Sequence, residues 1–242
     1  MRIDAPEGPE PRFAGYIRRG FWPRKDVKEG IVNDLFAGDG PRDLRGVAIH
    51  ERLLDRPGQE RVVADIRAVL RAAPLVRPVT RWGRPLSVRM SSAGTLGWIS
   101  DRRGYRYADR HPSGAAWPAI PASVRAVWDQ VAPGAREPES CLVNWYDSDA
   151  RMGLHQDRDE GDMDQPVVSI SLGDDALFRV GGLDRGGWTE SAWLRSGDVA
   201  VLGGAARLAF HGVDRIAPGT SDLLGVPGRI NLTLRVVSAA PA

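Results

Sequence analysis

The stretch from Cys141 to Glu160 reads Cys-Leu-Val-Asn-Trp-Tyr-Asp-Ser-Asp-Ala-Arg-Met-Gly-Leu-His-Gln-Asp-Arg-Asp-Glu, and it contains His155 and Asp157 two positions apart. Side chains at positions i and i+2 of an extended strand point to the same side. An imidazole and a carboxylate can therefore converge on one metal ion. The Phe-His-Gly segment at 210–212 offers the best third ligand, His211.

Two histidines and one carboxylate on one face of an ion leave the opposite coordination positions open, which is typical of non-haem Fe(II) sites. His-x-Asp alone is a weak signal, because the pair is common and a lone histidine is more often structural than metal-binding. The pattern in the rest of the chain therefore has to decide whether His155, Asp157 and His211 form a metal site.

The chain has 242 residues, 42% of them hydrophobic, and a formal net charge of +2. These values predict one large all-β or α+β domain, or two small ones, and give no indication of nucleic-acid binding. The single cysteine, Cys141, excludes an intramolecular disulfide and indicates a reducing compartment. The sequence has neither an apolar run of membrane-spanning length nor a signal-peptide core, so we expect a cytoplasmic protein without a membrane partner.

Short apolar segments separated by turn residues follow one another from Cys141 onward. Their spacing predicts an antiparallel sandwich or barrel. We expect strands at Cys141–Tyr146, Met152–Gln156, Val167–Leu172, Leu177–Val180, Ser191–Leu194, Val199–Leu202, Leu208–His211 and Ile230–Val237.

The first half of the chain predicts helices that cover a sheet. Gln59–Ala73 has a continuous apolar stripe and ends at Pro74, and a second stripe lies within Trp117–Val131. Residues 1–46 form an N-terminal extension, which we expect to be partly disordered, with a short helix at Val27–Leu35.

The segment Arg81–Tyr107 combines glycines and arginines with aromatic residues. Trp98, Tyr105 and Tyr107 can stack on a nucleobase while arginines face phosphates. The alternative is that Trp98 and Tyr105 only attach a long loop to the core. Met90, on a short strand before them, could equally be a core residue.

The last strand, Arg229-Ile230-Asn231-Leu232-Thr233-Leu234-Arg235, alternates strictly between polar and apolar side chains. If its polar face lines a barrel, two guanidiniums need anionic partners, because an unpaired buried charge is costly. A dicarboxylate would satisfy both, with bidentate geometry available to arginine. The alternative is a polar strand that faces solvent.

Together these residues make the chain resemble the AlkB-type Fe(II)/2-oxoglutarate dioxygenases, from about residue 47 to the C-terminus. The triad followed by the Arg-x-Asn-x-Thr-x-Arg strand is the most specific part of the resemblance. The matching segments are Leu-Gly-Trp (96–98), Gly-Tyr-Arg-Tyr (104–107), Trp-Pro-Ala-Ile-Pro (117–121), Asn-Trp-Tyr (144–146), Leu-His-Gln-Asp-Arg-Asp-Glu (154–160), Val-Ser-Ile-Ser-Leu-Gly (168–173), Gly-Gly-Leu-Asp-Arg (181–185), Gly-Asp-Val (197–199), Phe-His-Gly (210–212) and the last strand (229–235).

The resemblance implies a mainly β (α+β) fold. Its centre would be a double-stranded β-helix, or jelly roll, with helices packed on one sheet and an N-terminal nucleotide-recognition lid. The dioxygenase domain would cover residues 47–242, with the lid at about 81–117 and the jelly-roll core at about 140–238.

The resemblance also implies the cofactors and the residues that hold them. Fe(II) would be bound by the catalytic residues His155, Asp157 and His211, with 2-oxoglutarate and O2 as cosubstrates. The 2-oxoglutarate residues would be Asn144, Tyr146, Arg229, Asn231, Thr233 and Arg235. The substrate base would contact Met90, Trp98, Tyr105, Tyr107, Asp159 and Arg185.

The activity implied is oxidative demethylation of N-alkylated bases such as 1-methyladenine and 3-methylcytosine, with release of formaldehyde, succinate and CO2. The substrate would be single- or double-stranded DNA, or RNA, and the enzyme a monomer. The same chemistry on tRNA, protein or a small molecule is the alternative. A binding module without turnover, or a zinc hydrolase, would leave Arg229 and Arg235 unexplained.

Overall fold

The computed structural model describes residues 40–240. Most of the expected N-terminal extension, including the helix expected at Val27–Leu35, lies outside these residues. In chain order the described elements are β1 (Arg42–Leu44), β2 (Val47–His50), α1 (Arg56–Ala72), β3 (Arg89–Gly94), β4 (Gly97–Asp101), β5 (Gly104–Ala108), α2 (Ala122–Val131), β6 (Ser140–Tyr146), β7 (Met152–His155), β8 (Val167–Gly173), β9 (Asp175–Val180), β10 (Glu190–Leu194), β11 (Val199–Leu202), β12 (His211–Ala217) and β13 (Arg229–Arg235).

Two antiparallel sheets form the body of the domain. The seven-stranded sheet has the order β1-β2-β11-β8-β13-β6-β3, and the four-stranded sheet has the order β10-β9-β12-β7. The eight strands from β6 to β13 divide equally between the two sheets. This arrangement confirms the expected mainly β jelly roll.

Strand β13 shows how the sequence builds the interior between the sheets. It lies between β6 and β8, and all of its residues are buried. Ile230, Leu232 and Leu234 join the core beneath the helices. The alternating polar side chains, from Arg229 to Arg235, line a cavity on the opposite face. The predicted alternation is therefore confirmed, and the solvent-facing alternative is wrong.

The two helices cover the outer face of the seven-stranded sheet. Val62, Val63, Ile66 and Val69 of α1 pack in the same core as the apolar side of β13, together with residues of α2. Helix α1 begins three residues before the predicted start at Gln59. The reason is its N-terminal signal: the Asp55 side chain accepts a hydrogen bond from Gly58 N at 2.9 Å, and a proline stands in the first turn.

One predicted strand is displaced along the chain, and strand β1 lies where no strand was predicted. The strand expected at Leu208–His211 begins only at His211 and continues to Ala217. A 3-10 turn at Gly204–Ala206 and the hydrogen bond from Ala209 N to Ala206 O at 3.0 Å keep the preceding residues out of the sheet. At the other end of the domain, β1 precedes residue 47 and pairs with β2, so the sheet starts before the expected domain boundary.

The segment expected to be a lid, 81–117, has two structural parts. Strand β3 belongs to the large sheet as an edge strand beside β6. Strands β4 and β5 form a separate two-stranded hairpin, in which Trp98 pairs with Tyr107. Within residues 40–240, neither helix is long and apolar enough to cross a membrane.

Candidate metal centre and its pocket

Three potential metal ligands meet where β7 and β12 run side by side. His155 ends β7 and His211 begins β12, and the two residues face each other across the strand pair. Asp157 lies two residues beyond His155, with its Oδ1 3.8 Å from His155 Nε2 and its Oδ2 3.8 Å from His211 Nε2. The three ligand atoms lie within 4.8 Å of one another. The structure therefore brings together the three residues that the sequence singled out.

Backbone contacts orient both imidazoles. Nδ1 of His155 lies 3.0 Å from Gly153 O, and Nδ1 of His211 lies 3.0 Å from Ala209 O. Because a carbonyl only accepts, Nδ1 is the donor in both contacts, and Nε2 is the ring nitrogen that faces Asp157. Metal-binding histidines usually have this arrangement, in which the second nitrogen donates to a fixed acceptor.

Gly212 allows the two strands to approach so closely. A Cβ added at this position would lie 2.6 Å from Met152 O and 2.9 Å from Gly153 O. Any larger residue would push β12 away from β7, and with it His211 from His155. The glycine of the Phe-His-Gly motif thus belongs to the geometry of the site.

The electrostatics of the three residues suit a divalent cation. Burial alone raises the pKa of Asp157, but the positive charge of Arg235, with smaller contributions from the two neighbouring histidines, outweighs it and holds that pKa well below its ordinary value. Burial lowers the pKa of His211 to about 4 against the opposing attraction of Asp157. A carboxylate and a neutral imidazole are the protonation states that metal binding requires.

The polar face of β13 offers unsatisfied donors on both sides of the cavity. Arg229 donates from Nη2 to Ser171 Oγ at 2.8 Å, while its Nε and Nη1 are buried without a partner. Arg235 donates from Nη2 to Asp157 Oδ2 at 2.8 Å, and its Nη1 has no partner. Because a buried unpaired donor is costly, two separate donor groups of this kind fit a ligand with two carboxylates.

Side chains of two neighbouring strands, β6 and β13, lie between and beside these two arginines. Asn144 Nδ2 donates to Asn231 Oδ1 at 3.3 Å, and Thr233 Oγ1 donates to the same oxygen at 2.9 Å. Asn144 Oδ1 is a further buried atom without a partner. Tyr146 lies beneath Arg229, whose guanidinium carbon is 5.6 Å from the centre of its ring. All six residues expected at the 2-oxoglutarate site therefore line one cavity.

The cavity has a volume of about 770 Å³, and pockets for small ligands typically have about 300–1,000 Å³. The β4–β5 hairpin forms part of its wall through Trp98 and Tyr105, which stack with ring centroids 5.3 Å apart. Trp98 Nε1 donates to Asp159 Oδ2 at 3.3 Å, while 54% of Tyr105 is exposed. An aromatic pair and a carboxylate thus stand at the mouth of the cavity.

The remaining expected substrate residues divide into two groups. Met90 on β3 is buried and lines the cavity. Arg185 also lines it and places its guanidinium carbon 5.5 Å from the centre of the Phe210 ring. Tyr107 does not line this cavity. Its hydroxyl instead donates to Glu160 Oε1 at 2.5 Å, and burial raises its pKa far above the ordinary value.

Glu160 and Arg207 form a buried ion pair that the sequence did not reveal as part of the site. Arg207 donates to Glu160 Oε2 at 3.1 Å, to the backbone oxygen of Asp157 at 2.6 Å and to Gln165 O at 2.7 Å. Glu160 joins the hairpin, through Tyr107, to the segment that carries Asp157. In the sequence, Glu160 ends a charged run that resembles a solvated surface, and Arg207 lies in no regular pattern.

Comparison with known proteins identifies the family. The model of the 2OG-Fe(II) oxygenase superfamily matches residues 46–235. An alpha-ketoglutarate-dependent dioxygenase AlkB homolog of Caulobacter vibrioides is 52% identical over 191 residues, which cover 78% of this chain and 87% of that protein. The alpha-ketoglutarate-dependent dioxygenase AlkB of Escherichia coli is 37% identical over 209 residues, covering 84% of this chain and 96% of the relative.

A solved structure of OsALKBH1 has a similar fold, with a TM-score of 0.66 and 32% sequence identity. The match covers 81% of this chain and 99% of that one. The family model, the near full-length relatives and the triad with its two arginines agree. The chain belongs to the AlkB dioxygenases of the 2OG-Fe(II) oxygenase superfamily, enzymes that use Fe(II), 2-oxoglutarate and O2.

Proposed function

We propose that this enzyme removes methyl groups oxidatively from N-alkylated bases such as 1-methyladenine and 3-methylcytosine in DNA, with RNA as a further substrate. The observation that carries the proposal is the Trp98–Tyr105 stack beside Asp159 at the mouth of the cavity that holds the metal ligands. An exposed aromatic surface stacks on any nucleobase. A small carboxylate substrate would need no such surface.

The charge of the lesion supports this choice of substrate. Methylation at N1 of adenine or N3 of cytosine makes the base cationic, and the Asp159 carboxylate provides a complementary charge. The same methyl group blocks base pairing, so the damaged base costs less to flip out of a duplex. Substrate selection would then combine a lower cost of flipping with attraction to Asp159.

The residues of the cavity would divide the work of catalysis. His155, Asp157 and His211 would hold the iron, and Arg229 would pair with the distal carboxylate of 2-oxoglutarate, with Asn144, Tyr146, Asn231, Thr233 and Arg235 around the rest of the molecule. When bound, Fe(II) with 2-oxoglutarate and O2 supplies the oxidation of the N-methyl group, which leaves as formaldehyde while 2-oxoglutarate becomes succinate and CO2.

The protein's own contribution would be positioning. Trp98 and Tyr105 would stack on the flipped base, and Met90 and Arg185 would contact it from the cavity wall. Tyr107 would act differently from our first expectation, because its hydroxyl on Glu160 holds the hairpin rather than the base. We further propose that the enzyme acts as a monomer in the cytoplasm; the single, buried Cys141 agrees with a reducing compartment.

Mass spectrometry of methylated oligonucleotides tests the proposal. Single- and double-stranded oligonucleotides with 1-methyladenine or 3-methylcytosine should lose the methyl group, with one formaldehyde and one succinate formed for each base repaired. Omission of iron or 2-oxoglutarate is the control. Succinate formation stimulated by methylated tRNA, peptide or a small molecule, with no change in the DNA oligonucleotides, would favour the alternative substrates.

A further inference from the structure

The loop between β9 and β10, residues 181–189, contains no helix or strand and forms a second part of the cavity wall. Leu183 and Arg185 of this loop line the cavity. The loop is tied to the metal site because Gln156, which stands between His155 and Asp157, donates from Nε2 to Leu183 O at 3.0 Å. The near end of the loop is therefore fixed relative to the expected iron ligands.

The far end of the same loop presents a tryptophan to solvent. Trp188 is 69% exposed, and the guanidinium carbon of Arg45 lies 4.0 Å from the centre of its ring. Arg45 also donates from Nε to Gly181 O at 3.3 Å, at the root of the loop. One face of the indole is therefore covered by an arginine that also contacts the loop, and much of the ring remains open to solvent.

Arg45 stands at a position that disfavours arginine. Leu44 and Val47 pair across the β1–β2 turn, and the two residues between them have positive φ, +54° at Arg45 and +85° at Gly46. Such a two-residue turn favours Asn-Gly or Gly-Gly. A residue with a larger side chain is strained in this region of backbone space. Strain of this kind often occurs where the side chain serves a function.

We propose that Trp188, held by Arg45, is a stacking platform for a nucleotide next to the flipped base. The inference rests on the proposed function, since a flipped base leaves its neighbours without a stacking partner and an exposed indole can replace it. The charge around Trp188 also suits a nucleic acid, whose phosphates are negative. Asp184 and Arg185 cancel within the loop, so Arg45 adds a net positive charge beside the ring.

Trp188→Ala tests the platform with two substrates, 1-methyldeoxyadenosine monophosphate and a single-stranded oligonucleotide with one 1-methyladenine. The platform predicts that KM for the oligonucleotide rises by about 5- to 100-fold. The mononucleotide, which has no neighbouring base, should be affected far less. Trp193→Ala is the matched control, because Trp193 is also exposed and has an arginine, Arg215, 5.6 Å from the centre of its ring, but it lies on β10, outside the loop whose residues line the cavity.

Arg45→Asn separates function from stability. Asparagine suits the turn, so Tm should stay unchanged or rise while KM for the oligonucleotide increases. If both variants repair the oligonucleotide with the wild-type KM, the stacking platform is overturned while the proposed function stands. A fall in Tm with equal losses on both substrates would also overturn it and would make Trp188 a structural residue. A wild-type enzyme that repairs neither substrate would overturn the proposed function together with the platform.

Discussion

The floor and the roof of the cavity are built on different principles. The floor consists of the triad (His155, Asp157 and His211) with Arg229 and Arg235, and four of these five residues are buried. The roof consists of the β4–β5 hairpin and the 181–189 loop, which present Tyr105 and Trp188 to solvent. The side chains of the floor are held by hydrogen bonds within the fold, whereas the aromatic rings of the roof are partly exposed and can contact a ligand.

This difference indicates what positions the side chains in each part of the cavity. The geometry of the floor is set during folding, by strand pairing and by the acceptors of the two histidines, so small cosubstrates find a prepared site. The roof contacts a large and variable substrate. We therefore expect changes in the floor to affect every reaction of the enzyme, and changes in the roof to affect only reactions that depend on nucleic acid.

The largest effect is expected for His211→Ala. Loss of one of the three ligands should abolish iron-dependent turnover, with or without oligonucleotide. The domain should still fold, because the variant leaves no buried charge without its partner. The measurements are succinate formation and anaerobic titration with Fe(II) and 2-oxoglutarate, which gives a visible charge-transfer band in the wild type. His50→Ala, a half-buried histidine on β2, is the matched control; full activity in His211→Ala would remove His211 from the triad.

Arg229→Ala should have the next largest effect. Loss of a charged, bidentate partner costs about 2–4 kcal/mol, so 2-oxoglutarate affinity should fall by about 30- to 1000-fold. Iron affinity should change little. The stability of the ligand-free protein should also change little, because within the described residues Arg229 makes no ion pair. Titration with 2-oxoglutarate and a melting curve measure the two quantities.

Arg235→Ala sharpens this result, because Arg235 pairs with Asp157 and its removal leaves a buried carboxylate without its cation. We therefore expect it to lower Tm by several degrees, in contrast to Arg229→Ala. For the Arg229→Ala variant, an unchanged 2-oxoglutarate affinity would contradict the assignment, and it would show that the unpaired Nε and Nη1 of Arg229 bind another ligand.

Glu160→Gln tests the connection between floor and roof. Glutamine keeps the size of the side chain but leaves Arg207 buried without an anion, so the protein should lose about 3–5 kcal/mol of stability and Tm should fall by about 6–20 °C. The Tyr107 hydroxyl would also lose its charged acceptor. The β4–β5 hairpin should then be held less firmly, so KM for oligonucleotide should rise as well. Glu190→Gln, an exposed residue on β10, is the control. A wild-type Tm would mean that the pair contributes nothing to the fold.

The floor could be predicted from the sequence better than the roof, for physical reasons. His155 and Asp157 are separated by the repeat of a strand, and Arg229 to Arg235 alternate with apolar residues, so local geometry alone places them together. His211 was found by residue type, although the strand that carries it starts later than predicted. A 3-10 turn and the hydrogen bond from Ala209 to Ala206 decide that boundary.

The contacts that the sequence did not reveal join residues far apart in the chain. Glu160 meets Arg207 across 47 positions and Tyr107 across 53. Arg45 contacts Trp188 because the strained β1–β2 turn lies beside the glycine-rich loop between β9 and β10. Periodicity carries no information about such pairs, since neither partner belongs to a repeating pattern.

The most direct test of the division between floor and roof uses Trp98→Ala and measures two reactions of one protein. Loss of stacking, about 1–3 kcal/mol per base, should raise KM for methylated oligonucleotide. Decarboxylation of 2-oxoglutarate without nucleic acid should persist at the wild-type rate, because the floor is intact. Equal loss of both reactions, with a Tm several degrees lower, would contradict this division and make Trp98 a core residue, held by its packing against the buried cluster that contains Met90 and Tyr146.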